Sequence, residues 1–298
     1  MTMHDDQVDV TTETVAALIQ EQFPRWSGKA VRLVSSTGTD HAIFRIGNDL
    51  SARFPLRPAD PAEVLAVLEQ EARASAELAR VSRFPAPEPV ALGKPGAGYP
   101  MPWSVQTWVP GTVALDADPS GSDAFAEDLA AFIAALRDAD TRGRLFSGGG
   151  RGGVLAHHDD WMAKCFEESE GLLDVPRLRR VWSRFRELPR TGADVMSHGD
   201  LIPGNVLVAG DRLGGVLDTG GFGPADPALD LVGAWHLLQA GPREVLRRTL
   251  GCDDLEWERG KAWAFEQAMG VVWYYAESNP AMSTMGRRTL GRILESMG

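Results

Sequence analysis

Cysteine is nearly absent from this 298-residue sequence, which contains only Cys165 and Cys252. Two cysteines so far apart along the chain offer neither a disulfide framework nor a cluster of metal ligands. Long apolar runs are also missing: no stretch reaches the roughly 18 to 20 uninterrupted apolar residues that cross a bilayer. The N-terminus lacks the basic-then-apolar order of a signal peptide. We therefore expect a cytoplasmic protein without a membrane partner.

Basic residues are in short supply, with 30 Lys and Arg against 41 Asp and Glu, which gives a net charge of -11. The chain has no basic stripe that would neutralise phosphates, and this argues against nucleic acid as a partner. A surplus of negative charge serves solubility in general, and it would also attract a cationic small molecule. The length is sufficient for two lobes with separate cores. Whether the protein is a monomer or a dimer stays open.

The most informative stretch of the sequence contains Asp200, then Asn205, and thirteen residues later Asp218. The apolar runs 206–208 and 216–217 flank a short polar turn and predict a β-hairpin. Such a hairpin would bring Asn205 and Asp218 back to the same edge. Asp200 would lie on the loop immediately before it.

Amide and carboxylate oxygens that converge in this way suit a hard cation such as Mg²⁺, which keeps water and phosphate oxygens for its other ligands. Asn205 and Asp218 are the predicted metal ligands. A further carboxylate beside the metal, that of Asp200, is placed to take a proton from an incoming hydroxyl. This combination is typical of phosphoryl transfer.

The spacing of these residues resembles the catalytic and metal-binding loops of the protein-kinase-like fold: His198-x-Asp200-x4-Asn205, followed by Asp218. Gly199 replaces the kinase Arg, and Asp226-Pro227-x-x-Asp230-Leu231 lies downstream. With these two features the chain is similar to the aminoglycoside phosphotransferase family of small-molecule kinases. The resemblance is strong over 196–231 and looser in the N-terminal part.

The resemblance implies an α+β, protein-kinase-like fold with two lobes. An N-terminal lobe over residues 1–108 would contain an antiparallel sheet and bind nucleotide, and a mainly helical lobe over 109–298 would hold the catalytic and acceptor sites. The family also implies Mg²⁺ and either ATP or GTP as phosphoryl donor. Asp230 would accept backbone N–H bonds from the catalytic loop, and His198 would support that loop rather than catalyse.

In the N-terminal part, strands at 31–34, 42–46 and 50–55 predict an antiparallel meander. Its first turn occupies the place where a nucleotide kinase covers the phosphates. Glycine allows a close backbone approach there, and the neighbouring hydroxyl and amide groups can donate hydrogen bonds. The turn residues predicted to bind nucleotide are Ser36, Thr37, Gly38 and Thr39. An ordinary turn of the same composition is the alternative.

The third strand departs from the kinase pattern, because the chain has no Lys between Lys29 and Lys94. Arg53 stands where kinases have the phosphate-binding Lys. The guanidinium fork binds phosphate bidentately, so the charge is retained while the geometry changes. Glu71, on the helix that starts after an Asp-Pro cap, resembles the Glu that pairs with this cation. The alternative is an exposed Glu.

Residues 106–111 form the expected hinge, where Gln106 and Trp108 would contact the nucleotide base. Downstream, the glycine run at 146–153 lacks the pattern of a phosphate-binding loop and is predicted to be a flexible loop on the acceptor side. The residues expected to contact a ring-bearing cationic acceptor, among C-terminal aromatic side chains and helix starts, are Asp160, Glu266, Trp273 and Glu277.

These observations predict a kinase that transfers the γ-phosphoryl group of a nucleoside triphosphate to a hydroxyl of a small-molecule acceptor. An aminoglycoside-type acceptor suits the acidic chain best. The alternatives are a macrolide, an amino alcohol or a sugar. A nucleotide-binding pseudoenzyme with a regulatory role is a further alternative, motivated by Arg53 in place of Lys.

Overall fold

The computed structural model describes residues 7–34, 41–190 and 192–298. It contains two compact units. The described parts of Met1–Arg80, together with Pro85–Pro110 and Leu217–Gly220, form the first unit, and Val81–Phe84, Gly111–Val216 and Gly221–Gly298 form the second. The lobe boundary after residue 108 stays a prediction. The observed first unit extends to Pro110, includes Leu217–Gly220 and leaves Val81–Phe84 to the second unit. In the described ranges no helix combines the length and apolar character that a membrane span needs.

The first unit is built on an antiparallel sheet of five strands, with the order β1-β2-β3-β5-β4. Its elements are α1 (Thr12–Gln22), β1 (Val31–Val34), β2 (His41–Ile46), β3 (Leu50–Pro55), α2 (Pro61–Val81), β4 (Pro89–Gly93) and β5 (Trp103–Thr107). The predicted meander is confirmed, with bounds that differ by at most one residue. Asp60 caps α2 as its sequence predicts, because its Oδ1 accepts from the N–H groups of Ala62 and Glu63 at 2.9 and 3.1 Å.

The core of the first unit centres on the buried ring of Phe54. Phe44, Tyr99 and Trp103 surround it, with ring centroids 5.7, 5.1 and 4.8 Å away. Such aromatic contacts add to the free energy gained by burying the rings. This packing fixes β3, the strand that carries Arg53.

The second unit is mainly helical. Its elements are β6 (Thr112–Val113), α3 (Ala114–Ala117), α4 (Asp123–Arg137), α5 (Asp159–Glu168), α6 (Val175–Phe185), β7 (Val195–Ser197), β8 (Val206–Ala209), β9 (Arg212–Val216), β10 (Gly223–Ala225), α7 (Val232–Leu237), α8 (Ala240–Leu250), α9 (Asp254–Tyr274) and α10 (Pro280–Glu295). Two small sheets accompany the helices, β6-β8-β9 and β10-β7. An antiparallel sheet in one unit and helices in the other confirm the predicted α+β class.

The predicted hairpin is confirmed, since β8 and β9 pair antiparallel with Val206 opposite Val216 and Ala209 opposite Arg212. Asn205 therefore directly precedes the hairpin. The helical core surrounds α9, which packs against α5, α6, α7 and α10. Most of α9 is buried, and it carries Glu266 and Gln267.

The sequence pattern predicts one continuous helix over residues 228–239, and this prediction is wrong in its extent. The chain forms a single 3₁₀ turn at Leu229–Leu231 and then the short α7, which ends where Leu238 turns extended. A separate helix, α8, follows. Its Pro242 lies in the first turn, where the backbone N–H has no intrahelical acceptor, so the proline starts the helix rather than interrupting it.

Candidate active site

The loop after β7 is held in place by Asp230, a carboxylate only 3% exposed. Its oxygens accept the backbone N–H groups of His198 and Gly199, each at 2.9 Å. Gly199 has φ +84°, a backbone conformation that favours glycine. The ring of His198 is buried, and its Nδ1 lies 3.3 Å from the backbone N of Asp200. These contacts fix the loop that carries Asp200.

The Asp200 carboxylate is oriented by three side chains. Its Oδ1 accepts from Arg151 at 2.9 Å and from Nε2 of Gln267 at 2.5 Å. Its Oδ2 accepts from Nδ2 of Asn205 at 2.8 Å. The side chain is still 33% exposed, so a hydroxyl group can reach it. A fixed, accessible carboxylate of this kind can serve as a general base.

Arg151 belongs to the glycine run, and the end of that run is anchored rather than flexible. A buried ion pair between Arg259 and Asp226 fixes it. The Arg259 guanidinium donates to the carbonyl oxygen of Gly153 at 3.1 Å, and the Asp226 N–H donates to that of Gly152 at 2.9 Å. The prediction of a flexible loop is therefore wrong for this end. The run holds Arg151 beside the candidate base.

Gln267 is itself held by a buried hydrogen-bonded chain. Its Oε1 lies 3.0 Å from Nε2 of His236, and Nδ1 of His236 lies 2.9 Å from the hydroxyl of Thr289. Burial lowers the pKa of His236 to about 3, so the imidazole is neutral at physiological pH. A single proton on Nε2 suits the Gln267 oxygen, and the amide nitrogen then faces Asp200. Neither Arg151 nor Gln267 is recognisable from the sequence, because both lie far from the motif along the chain.

A cavity of about 490 Å³ opens beside Asp200 in the second unit. Glu266, one of the residues predicted to contact the acceptor, lines it. Asp160 and Glu277 are exposed on the surface. Trp273 lies under the Lys164 ammonium, which is 5.4 Å from its ring. These three residues are not among the described ones that line the cavity, so Glu266 is the predicted acceptor residue that the fold brings to Asp200.

In the first unit, Arg53 contacts Asp218, with a distance of 2.9 Å between its guanidinium and Oδ1. Glu71 lies close to both. Burial raises the pKa of the Glu71 carboxyl, the Arg53 charge opposes this rise, and the Asp218 charge adds to it. Arg53 thus acts on two carboxylates, and the contact with Asp218 was not predicted. That Glu71 holds Arg53 against a nucleotide stays a prediction.

Arg53, Glu71 and Gln106 line a second cavity of about 220 Å³. Among the described residues, the buried Nε of Arg53 has no hydrogen-bond partner, which leaves a donor for an anionic ligand. Trp108 is not among the described residues that line this cavity. Its backbone N–H donates to the Asp49 carbonyl oxygen at 2.7 Å, and the Arg45 guanidinium stacks 4.5 Å from its ring. The predicted phosphate-covering residues lie outside the described ranges: Ser36, Thr37, Gly38 and Thr39.

The donors predicted for a cation have the chemistry that Mg²⁺ requires. Asn205 directs its amide nitrogen to Asp200, which turns its amide oxygen away from that carboxylate. Asp218 provides carboxylate oxygens from a residue with φ +55°. In the part of the chain that the structure describes, no three His, Cys, Asp or Glu side chains gather into a metal site. A cation that completes its shell with phosphate and water needs only two such ligands.

An antiparallel sheet unit, a helical unit and a His-Gly-Asp loop followed by Asn and Asp define the class of kinase-like phosphotransferases. Residues 30–263 match the model of the phosphotransferase enzyme family, APH. The chain belongs to this family. No curated protein sequence matches it significantly.

Solved structures share the fold. The GDP complex of wild-type aminoglycoside 2'-phosphotransferase-IIIa is 18% identical with a TM-score of 0.70, covering 96% of this chain and 100% of that one. The macrolide 2'-phosphotransferase MphH from Brachybacterium faecium is 19% identical with a TM-score of 0.62, covering 93% and 98%. The streptomycin-ATP-APH(2")-IIa ternary complex is 18% identical with a TM-score of 0.58, covering 95% and 97%.

Proposed function

We propose that the protein transfers the γ-phosphoryl group of a nucleoside triphosphate to a hydroxyl of a small molecule bound beside Asp200. The observation that carries this proposal is the Asp200 carboxylate itself. It is held by Arg151, Gln267 and Asn205, it remains partly exposed, and it borders a cavity of about 490 Å³. Membership of the phosphotransferase family supports the reaction type.

In this reaction Asp200 orients the acceptor hydroxyl and takes its proton. The bond from the acceptor oxygen to the γ-phosphorus forms while the bond from that phosphorus to the bridging oxygen breaks, which releases the nucleoside diphosphate. Gln267 and Asn205 keep the carboxylate aimed at the hydroxyl, and they need not move during the step. Positioning of this kind supplies much of the rate enhancement in phosphoryl transfer.

The nucleotide would bind in the first unit. Arg53 supplies the positive charge for its phosphates, Glu71 positions that charge, and Gln106 borders the same cavity. Trp108 and the turn residues 36–39 are further contacts expected from the sequence. Solved relatives of the same fold in complex with GDP and with ATP support a nucleotide donor, either ATP or GTP.

Mg²⁺ would be held by Asn205 and Asp218. When bound, it neutralises negative charge on the donor phosphates. The Arg53 guanidinium contacts Oδ1 of Asp218 at 2.9 Å, so it orients one of the two proposed ligands.

The acceptor predicted from the sequence is an aminoglycoside, with macrolides, amino alcohols and sugars as alternatives. The named relatives of this fold include both aminoglycoside and macrolide phosphotransferases. Either class offers ring hydroxyls to Asp200.

The substitution Asp200→Asn tests the proposed role, since it keeps the shape of the side chain and removes the base. We expect turnover to fall by about 10² to 10⁴, whereas the Kd for Mg²⁺-nucleotide should change by less than about twofold. Asp211→Asn, in the exposed turn between β8 and β9, is the matched control and should retain normal turnover. Near-normal turnover in Asp200→Asn would contradict the assignment. Nucleotide binding by the wild type without transfer to any hydroxyl compound would instead support the regulatory alternative.

A further inference from the structure

We propose that the acceptor is an uncharged or singly charged hydroxyl compound with an extended apolar face, and not a polycation. The inference rests on the proposed function, because it concerns the cavity in which Asp200 would meet the acceptor. It follows from the charges and surfaces that line this cavity.

Two carboxylates border the cavity, and a basic side chain already compensates each of them. Arg151 donates to Oδ1 of Asp200 at 2.9 Å. Nδ1 of His158 lies 2.9 Å from Oε1 of Glu266, which is almost fully buried. No other charged side chain lines the cavity within the described residues. The lining is therefore electrically neutral as a whole.

The hydrogen bonds of His158 require this neutrality. Its Nε2 lies 3.2 Å from the carbonyl oxygen of Gly150, which can only accept, so Nε2 carries a proton. The contact between Nδ1 and the Glu266 oxygen needs a second proton on one of the two atoms. Either an imidazolium faces a carboxylate, or a neutral imidazole faces a carboxylic acid. The pair has no net charge in both cases.

The rest of the cavity lining is largely apolar. Its large side chains are Trp161, Ile202, Val271, Tyr274, Tyr275 and Met282. Trp161 and Tyr274 are 38% and 42% exposed, so both rings are open to a ligand in the cavity. Trp161 lies against α9 at Gly270, where an added Cβ would come within 2.8 Å of its ring. The ring thus forms a fixed aromatic wall.

A polyamine would fit this cavity poorly. Each of its ammonium groups needs a carboxylate or several acceptors in exchange for water, and an unpaired buried charge is costly. Both carboxylates already have a basic partner. Oε2 of Glu266 is buried without a hydrogen-bond partner among the described residues and can accept from a single donor. The Arg151 guanidinium beside Asp200 would repel a further cation. An apolar ring face would instead cover Trp161 and Tyr274 and gain free energy from the area buried. The net charge of the whole chain does not alter this local balance.

The first test compares kcat/KM of the wild-type enzyme at saturating Mg²⁺-nucleotide, read as nucleoside diphosphate release. One set of acceptors is uncharged or monoamine compounds with apolar faces, such as macrolides, and the other is polyamine aminoglycosides. We expect the best member of the first set to exceed the best of the second by at least about tenfold. Equal or better turnover of a polyamine would overturn the inference and leave the proposed function intact. Turnover of neither set, with nucleotide bound normally, would overturn both.

A matched pair of variants tests the physical cause. His158→Asn removes the basic partner and leaves Glu266 uncompensated, so kcat/KM for a polyamine relative to a macrolide should rise by about tenfold. Glu266→Gln removes the acid instead, and the same ratio should stay within about twofold of wild type. Thermal unfolding and nucleotide affinity identify a variant that fails to fold. A ratio that rises in neither variant, or equally in both, would show that charge compensation does not select the acceptor.

Discussion

At the scale of single residues, the spacing of Asp200, Asn205 and Asp218 was readable because the motif is local in the chain. The other two partners of the Asp200 carboxylate, Arg151 and Gln267, lie 49 and 67 residues away. No local pattern could identify them, since only the packing of α9 and the anchored glycine run brings them to Asp200. An Arg inside a glycine run was the one available signal.

For Arg53, the position could be predicted from the sequence but the partner could not. Its place on β3 was predicted from the strand pattern, and the sheet register confirms the strand. Its observed partner is Asp218, 165 residues away, in a segment that groups with the first unit. A chain segment that returns to an earlier unit leaves no periodic signal.

His236 makes stability depend on pH. Its pKa is about 3 in the folded protein, against 6.5 for an ordinary histidine, because burial disfavours the charged ring. Between these values the unfolded chain binds a proton that the folded chain does not. The free energy of unfolding should therefore fall by about 1.4 kcal/mol for each pH unit below 6.5, or about 2 kcal/mol by pH 5. Urea unfolding between about pH 7.5 and pH 5 measures this.

His236→Gln should be less stable than wild type at neutral pH and should lose less stability on acidification. His157→Gln, at an exposed histidine, is the control and should keep the wild-type pH dependence. If His236→Gln loses stability with acid as steeply as wild type, another group causes the dependence.

At the scale of elements, the apolar spacing from residue 125 to 136 predicts a helix with one buried stripe, and α4 is that helix. The buried residues of α4 include Phe125, Leu129, Phe132 and Leu136, and this spacing is visible in the sequence. The division between α7 and α8 was missed, because residues 232–242 are apolar throughout much of their length and the break occurs at a buried Leu238. Tertiary packing, rather than a local signal, sets that break.

The close packing of α9 predicts the effect of a single methyl group. At Gly260 an added Cβ would lie 2.4 Å from Cβ of Leu231, an atom that is bonded to the backbone and cannot rotate away. We expect Gly260→Ala to lower the free energy of unfolding by about 1 to 3 kcal/mol, despite the better helix propensity of alanine. Urea unfolding at neutral pH is the measurement.

Gly291 in α10 provides the control, because no described atom lies within 4 Å of a Cβ added there. Gly291→Ala should raise the free energy of unfolding by about 0.5 to 1 kcal/mol. Equal effects of the two substitutions would show that the contact between α9 and Leu231 is looser than the structure has it.

At the scale of the whole molecule, composition and charge excluded classes of protein but could not select an acceptor. The net charge of -11 favours cations at long range, while the cavity beside Asp200 is locally neutral. The net charge of the chain does not reveal the local charge of the cavity, because the pairs Asp200–Arg151 and Glu266–His158 form only on folding. The charge that meets an acceptor is a tertiary property.

The salt dependence of kcat/KM distinguishes the long-range effect of the net surface charge from the local charge of the cavity. Raising NaCl from about 50 mM to about 500 mM shortens the Debye length from more than about 10 Å to about 4 Å and screens the surface charge. With a neutral cavity, kcat/KM for an uncharged acceptor at saturating nucleotide should change by less than about twofold, whereas any turnover of a polyamine should fall severalfold. KCl at matched ionic strength controls for a specific effect of sodium. A large fall in kcat/KM for the uncharged acceptor at high salt would mean that uncompensated charge lines the cavity.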